Sequence, residues 1–226
     1  MTVVPAPLHV SIPVLLPVPV PVPSVSAFDA LNWLGLLAFA LAGALDGADE
    51  GLDVLGVAVL GVVTALGGGI TRDLLVNRTP VALTATVDVL LVLAGVVAAV
   101  LLVRNGRELS TDSPAVQLPD AVGLAAFAAT GAIVAWDAGL SAFGVLVCAM
   151  LTGTGGGAIR DLLVGRTPGI LVEDFYATCA LAGATAFWAL RTAGAPRPLG
   201  VAACVGVALA LRVLAIRYDW HLPTVG

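Results

Sequence analysis

Arg72-Asp73 and Arg160-Asp161 stand inside otherwise apolar stretches, each pair beginning three residues after a run of three glycines: Gly67, Gly68 and Gly69, then Gly155, Gly156 and Gly157. An ionised side chain at the centre of a lipid-spanning helix costs about 2.5–3.5 kcal/mol on insertion scales, so these four must face a cavity, a partner charge or the interface. Their chemistry is that of ions. A guanidinium repels cations and binds carboxylates, and a carboxylate does the reverse. Three glycines in a row remove side-chain packing and widen the accessible dihedrals, which predicts a kink or unwound turn in each helix, the alternative being close helix packing of the GxxxG kind. Backbone freed at that depth is tolerated only against protein or a water-filled cavity, where its carbonyls are hard ligands for a cation. Adjacent helical residues point about 100° apart. Neutralisation is therefore expected across the halves, Arg72 with Asp161 and Arg160 with Asp73.

Other chemistries lack an inventory. The stretch GTGGGAIRD has no following GK[ST] and no preceding strand, so it is not a nucleotide loop. His9 and His221 stand alone near the ends, and Cys148, Cys179 and Cys204 lack metal or redox spacing. No serine or cysteine has a histidine base, so no enzyme, cofactor or metal site is expected. All ten basic residues are arginine, the net charge is -5, and no cationic stripe exists to bind nucleic acid.

The elements holding these residues must be lipid-soluble. Of 226 residues, 59% are hydrophobic and 11% charged, with mean hydropathy +1.05. A soluble domain is about a quarter charged, so this chain cannot cover a water-facing surface. Seven apolar stretches near the ~20 residues a spanning helix needs fall at residues 28–45, 52–76, 81–103, 121–136, 140–164, 170–190 and 199–216. They are uniformly apolar rather than alternating, which excludes a barrel. Residues 1–26 carry Pro5, Pro7, Pro13, Pro17, Pro19, Pro21 and Pro23 and read as a proline-rich disordered tail.

An internal repeat organises the spans. With Gly35 laid on Gly123, an offset of 88, residues 35–80 overlay 123–168 without a gap, and GGGITRDLLVNRTP meets GGGAIRDLLVGRTP. The expected fold class is an all-α integral membrane protein of two three-helix repeats, residues 27–107 and 118–193, plus a seventh span at 198–217. An odd number of spans per unit turns the second upside down, and inverted repeats place matching interruptions around a pathway near the midplane. Arginine counts in the joints put the C-terminus in the cytoplasm and the N-terminus outside.

The remaining charges have plainer readings. Arg78 and Arg166 suit the negative ends of their helices, and Thr79-Pro80 and Thr167-Pro168 read as cap and first turn of the next. Glu173 and Asp174 open a helix, whereas Asp46, Asp49, Glu50 and Asp53 form an acidic joint expected to be solvated. Asp88 is a further intramembrane candidate whose repeat partner is Tyr176.

The duplicated GGGxxRDLL followed by RTP, in two inverted units plus a seventh helix, resembles the prokaryotic branch of the trimeric intracellular cation (TRIC) channel family over residues 28–216. Related sequences are also described as a glycine-transporter-like domain. The resemblance implies a homotrimer in a prokaryotic cell membrane, each protomer conducting monovalent cations, chiefly K⁺, through a pore lined by spans two and five. Gly67, Gly68, Gly69, Gly155, Gly156 and Gly157 would kink those spans. Arg72 and Arg160 would gate, blocking when in the pore and permitting flow when drawn to Asp73 or Asp161. The animal members carry a lysine-containing motif and bind inositol lipids; this chain has no lysine, so membrane lipid is an expected partner without regulation of that kind. The alternatives are a secondary transporter of a small zwitterion such as glycine, and a membrane scaffold with no pathway.

Overall fold

The computed structural model describes residues 26–105, 113–172 and 175–220; the proline-rich tail reading falls outside them. The described residues form helices α1 Ala27–Asp49, α2 Val54–Leu75, α3 Thr86–Arg104, α4 Pro114–Asp137, α5 Ala142–Leu163, α6 Gly169–Val172, α7 Tyr176–Thr192 and α8 Arg197–Tyr218, with a 3-10 turn at Val81–Leu83. Six of them are long and apolar enough to cross a membrane. The stretch expected at 170–190 is divided between α6 and the 17-residue α7, which lies at the short end of the range that crosses a bilayer.

The duplication is written into local structure. Asp53 Oδ1 caps α2 by accepting from Gly56 N at 2.7 Å, and its repeat partner Ser141 Oγ caps α5 by accepting from Gly144 N at 3.3 Å. The turns before these helices place Gly51 and its partner Gly139 at φ 71° and 70°. After the helices, Asn77 and its partner Gly165 take φ 54° and 73°. Glycine has no Cβ to clash there, and asparagine is the side chain that best tolerates the left-handed region.

α1 and α4 form the centre. Within their apolar windows 56% and 83% of residues are buried, against 28% for α3 and 33% for α8, which face outward. Phe39 and its repeat partner Phe127 meet edge to face, ring centroids 5.2 Å apart at 74°. Each ring lies where a Cβ on the other half's glycine would be, Phe127 on Gly35 and Phe39 on Gly123. The pseudo-two-fold axis passes between them.

The triple glycines do not break their helices. α2 and α5 run as helix through all six positions, so neither unwinds there. The glycines serve close approach instead. A Cβ on Gly68 would collide with the carbonyl of Thr152, and one on Gly156 with the carbonyl of Thr64, its repeat equivalent. As residue number rises on α2 it falls on α5 in these contacts, so the two helices cross antiparallel, as inversion requires. Thr64 and Thr152 return their hydroxyls to Leu60 O at 2.7 Å and Cys148 O at 2.6 Å. Gly43 of α1 packs on Thr64 and Gly131 of α4 on Thr152. Small residues at a lipid-depth crossing let backbones meet and gain dispersion contact.

Because carbonyl oxygens rather than flexible side chains oppose Gly68 and Gly156, overpacking there has no cheap relief. Gly68→Val is expected to cost about 3 kcal/mol or more. Gly206→Ala, where nothing lies within 4 Å of the new methyl, should be neutral or stabilising by up to ~1 kcal/mol. Thermal unfolding in detergent measures both.

Candidate functional site: two arginine–carboxylate clusters

Arg72 lies in the last turn of α2 and is 2% exposed. Its Nε donates to Asp73 Oδ1 at 2.9 Å, and an Nη donates to Thr130 Oγ1 of α4 at 3.4 Å. Asp73 Oδ2 accepts from Val81 N at 2.9 Å, tying the 3-10 turn to the helix end. Beside them Asn32 Nδ2 of α1 donates to Asp88 Oδ2 of α3 at 3.0 Å, both side chains buried. Asn32, Gly69, Arg72, Asp73, Asp88 and Phe127 are among the residues lining a cavity of ≈ 10 Å³, room for about one water.

Arg160 occupies the repeat position at the end of α5, with a larger set of partners. It meets Asp161 at 3.0 Å, Asp46 of α1 at 3.0 Å and Asp120 of α4 at 3.2 Å. Asp161 Oδ2 accepts from Gly169 N at 2.8 Å, repeating the Asp73 tie. Tyr176 Oη donates to Asp120 Oδ1 at 3.2 Å, and the guanidinium of Arg212, from α8, stands over the Tyr176 ring at 4.7 Å. Arg166 reaches back to Asp46 and, at 3.3 Å, to Glu50 of the first half. Burial opposes the Arg166 charge, but the hydrogen bond it donates to Asp46 and the charges of Asp46 and Asp161 outweigh it and raise its pKa.

These contacts correct three expectations. Crosswise pairing does not occur: each arginine turns back along its own helix to the next residue. The helix ends there, and each aspartate is already fixed by a loop N–H, so a long arginine side chain can curl to it. Asp46 is not solvated; it is wholly buried between two guanidiniums. Arg166 is an ion-pair partner across the two halves rather than only a helix-end charge, whereas Arg78, its repeat equivalent, makes no ion pair among the described residues. The residues equivalent to Asp46 and Glu50 are Val134 and Ala138, so nothing awaits Arg78 on the other face.

Asn32, Asp120 and Tyr176 were missed. A signal existed in the alignment, since Asn32 falls on Asp120 and Asp88 on Tyr176. Both halves keep a polar pair at these positions but exchange which element carries the acid.

The two clusters lie near opposite faces. Asn32 and Asp46 are fourteen residues apart on α1, about 21 Å of helix rise. At each, acid outnumbers base. Arg72 faces Asp73 and Asp88; Arg160, Arg166 and Arg212 are gathered with Asp46, Glu50, Asp120 and Asp161.

Removing one member of a buried ion network leaves an uncompensated charge, at about 3–5 kcal/mol. Asp46→Ala should therefore strongly lower the melting temperature in detergent. Asp137→Ala removes a half-exposed partner of Arg197 at 2.8 Å and should cost no more than about 1 kcal/mol.

Comparison with known proteins agrees with this architecture. A family model described as "Glycine transporter" matches twice, at residues 29–104 and 117–192. A UPF0126 membrane protein of Deinococcus radiodurans is 41% identical over 72% of this chain and 77% of its own length. The Bacillus subtilis UPF0126 membrane protein YvgT is 36% identical over 87% of this chain and 96% of its own. Among solved structures, one described under conductance through TRIC cation channels superposes with a TM-score of 0.80 at 34% identity, covering 89% of this chain and 98% of that one. The TRIC orthologue from Rhodobacter sphaeroides gives 0.78 at 36% identity, over 85% and 98%. With both halves matched by one family model and the whole described bundle superposing on channel structures, the chain belongs to the prokaryotic TRIC channel family.

Proposed function

We propose that this chain is a passive monovalent-cation channel, permeable to K⁺, assembled as a homotrimer in the cell membrane with one pathway in each protomer. Its relatives' description as cation channels supports this reading. The observation that carries it is the excess of carboxylate over guanidinium in both clusters, counting on the Arg160 side the exposed Glu50 that pairs with Arg166. Arginines in a cation pathway are paradoxical only if they stand alone. Here each is outnumbered by acids, so the field at both ends favours cations and disfavours anions. α2 and α5 line the pathway. Gly67, Gly68, Gly69, Gly155, Gly156 and Gly157 let them approach, and Arg72 and Arg160 gate at either side of the crossing. With each guanidinium docked on Asp73 or Asp161, its charge is drawn toward the helix end. In orientation, the face carrying Arg104, Arg160, Arg166 and Arg217 is cytoplasmic, which places the C-terminal end of α8 inside.

The family model's description supplies the rival, a transporter whose arginines hold a zwitterion's carboxylate. Proteoliposomes separate the two. A channel releases trapped K⁺ on reconstitution and takes up no labelled glycine above empty vesicles. Asp88→Asn, which removes one carboxylate beside Arg72, should slow the release several-fold. Saturable, concentrative glycine uptake without K⁺ release would reject the channel reading.

A further inference from the structure

The two halves differ most where they should be most alike, in the space beside the last glycine of each triplet. Around Gly69 the nearest atom that a Cβ would meet is an Nη of Arg72 at 3.8 Å, and this glycine lines the cavity shared with Asp88. Around Gly157, its repeat equivalent, a Cβ would meet Tyr176 Oη at 3.0 Å and the ring carbon bearing it at 3.7 Å. Tyr176 is the repeat equivalent of Asp88. Where one half places a short carboxylate and leaves a cavity, the other places a phenol, and the phenol fills the space.

Three contacts fix that phenol. Its hydroxyl donates to Asp120 at 3.2 Å, Arg212 of α8 lies over its ring at 4.7 Å, and Gly157 admits the ring edge because it lacks a Cβ. Tyr176 is 4% exposed and is the first residue of α7. Asp120 and Arg212 therefore act on Tyr176 from two different helices. α8, which lies outside the duplication, holds this ring and has no equivalent in the Arg72 half.

We propose that Tyr176 is the residue that closes the pathway on the Arg160 side, by occupying with its ring the volume that Asp88 leaves open on the Arg72 side. The proposal rests on the channel reading and adds to it a constriction that is aromatic and one-sided, latched by α8. Opening on that face then requires the ring to leave Gly157, whereas the Arg72 face already keeps a cavity of about one water beside Gly69. The two glycines also differ in consequence: a methyl at Gly69 meets only an Nη of Arg72, at ordinary contact distance, and a methyl at Gly157 presses on the Tyr176 hydroxyl.

Two measurements on the full-length protein test this. In planar bilayers, Tyr176→Ala should raise the fraction of time spent conducting at least threefold over wild type, and Tyr176→Phe, which keeps the ring, should raise it less. A purely structural role predicts the reverse order, with Tyr176→Ala losing activity. Tyr176→Asp, copying the other half, replaces Tyr176→Ala should the latter not fold. Independently of conduction, Gly157→Cys should resist a membrane-impermeant methanethiosulfonate when Tyr176 is present and react at least tenfold faster beside Tyr176→Ala. A folded Tyr176→Ala that conducts as wild type does, with Gly157→Cys equally reactive in both backgrounds, overturns the inference and leaves the channel reading standing. A wild-type protein that carries no current fails the reading itself, and the thiol result still reports whether the ring fills the space.

Discussion

Two backbone contacts, Gly68 on the carbonyl of Thr152 and Gly156 on the carbonyl of Thr64, determine how α2 and α5 cross. Only glycine allows a helix to approach another at carbonyl distance, and in lipid, where no hydrophobic driving force separates helices from their solvent, such close approach supplies much of the attraction. The crossing also sets positions along the bilayer normal. Arg72 and Arg160 each follow their contact glycine by four residues, about 6 Å of rise in opposite directions. The charged clusters are thus placed toward opposite faces with a narrow, uncharged crossing between them. Gly43 and Gly131 extend the same contact to α1 and α4, whose Phe39 and Phe127 meet on the axis.

Within this nearly two-fold frame the charges are distributed unequally. Buried ions are costly unless paired and hydrogen-bonded, and both halves meet that cost locally: arginine to the next aspartate, aspartate to a loop N–H. Beyond that core they diverge. The Arg160 half recruits Asp46 and Asp120, engages Arg166 across the repeats, and receives Tyr176 and Arg212. The Arg72 half keeps a small cavity beside Asp88. The repeats supply two equivalent sites, and the differences at 46/134, 32/120 and 88/176 accompany a dense set of ion pairs in one and a one-water cavity in the other.

Much of this was legible in the residues. Hydropathy alone requires a helical membrane protein, and the ungapped offset of 88 carries the inversion and the pairing of the triple glycines, of Arg72 with Arg160 and of Arg78 with Arg166. Two things were not legible. Triple glycine is compatible with either a broken helix or an intimate crossing, and the choice depends on what lies opposite; carbonyls of Thr64 and Thr152 decide for the crossing. Asp46 reads as solvated because it sits among Asp49, Glu50 and Asp53, yet it is turned inward on α1 toward two arginines more than a hundred residues away. Such partners are set by tertiary placement, which local composition does not encode. The comparison of Asn32 with Asp120 was available from the repeat and would have located the second acid of the Arg160 cluster.

The surplus of carboxylate at both ends makes the sign of the permeant ion the central claim. Purified protein in a planar bilayer between high and low KCl measures that sign as a reversal potential. Current that reverses near the K⁺ equilibrium potential is the expected result. Reversal near the Cl⁻ potential, or near zero with both ions carried, would mean that the arginines and not their carboxylates control the pathway.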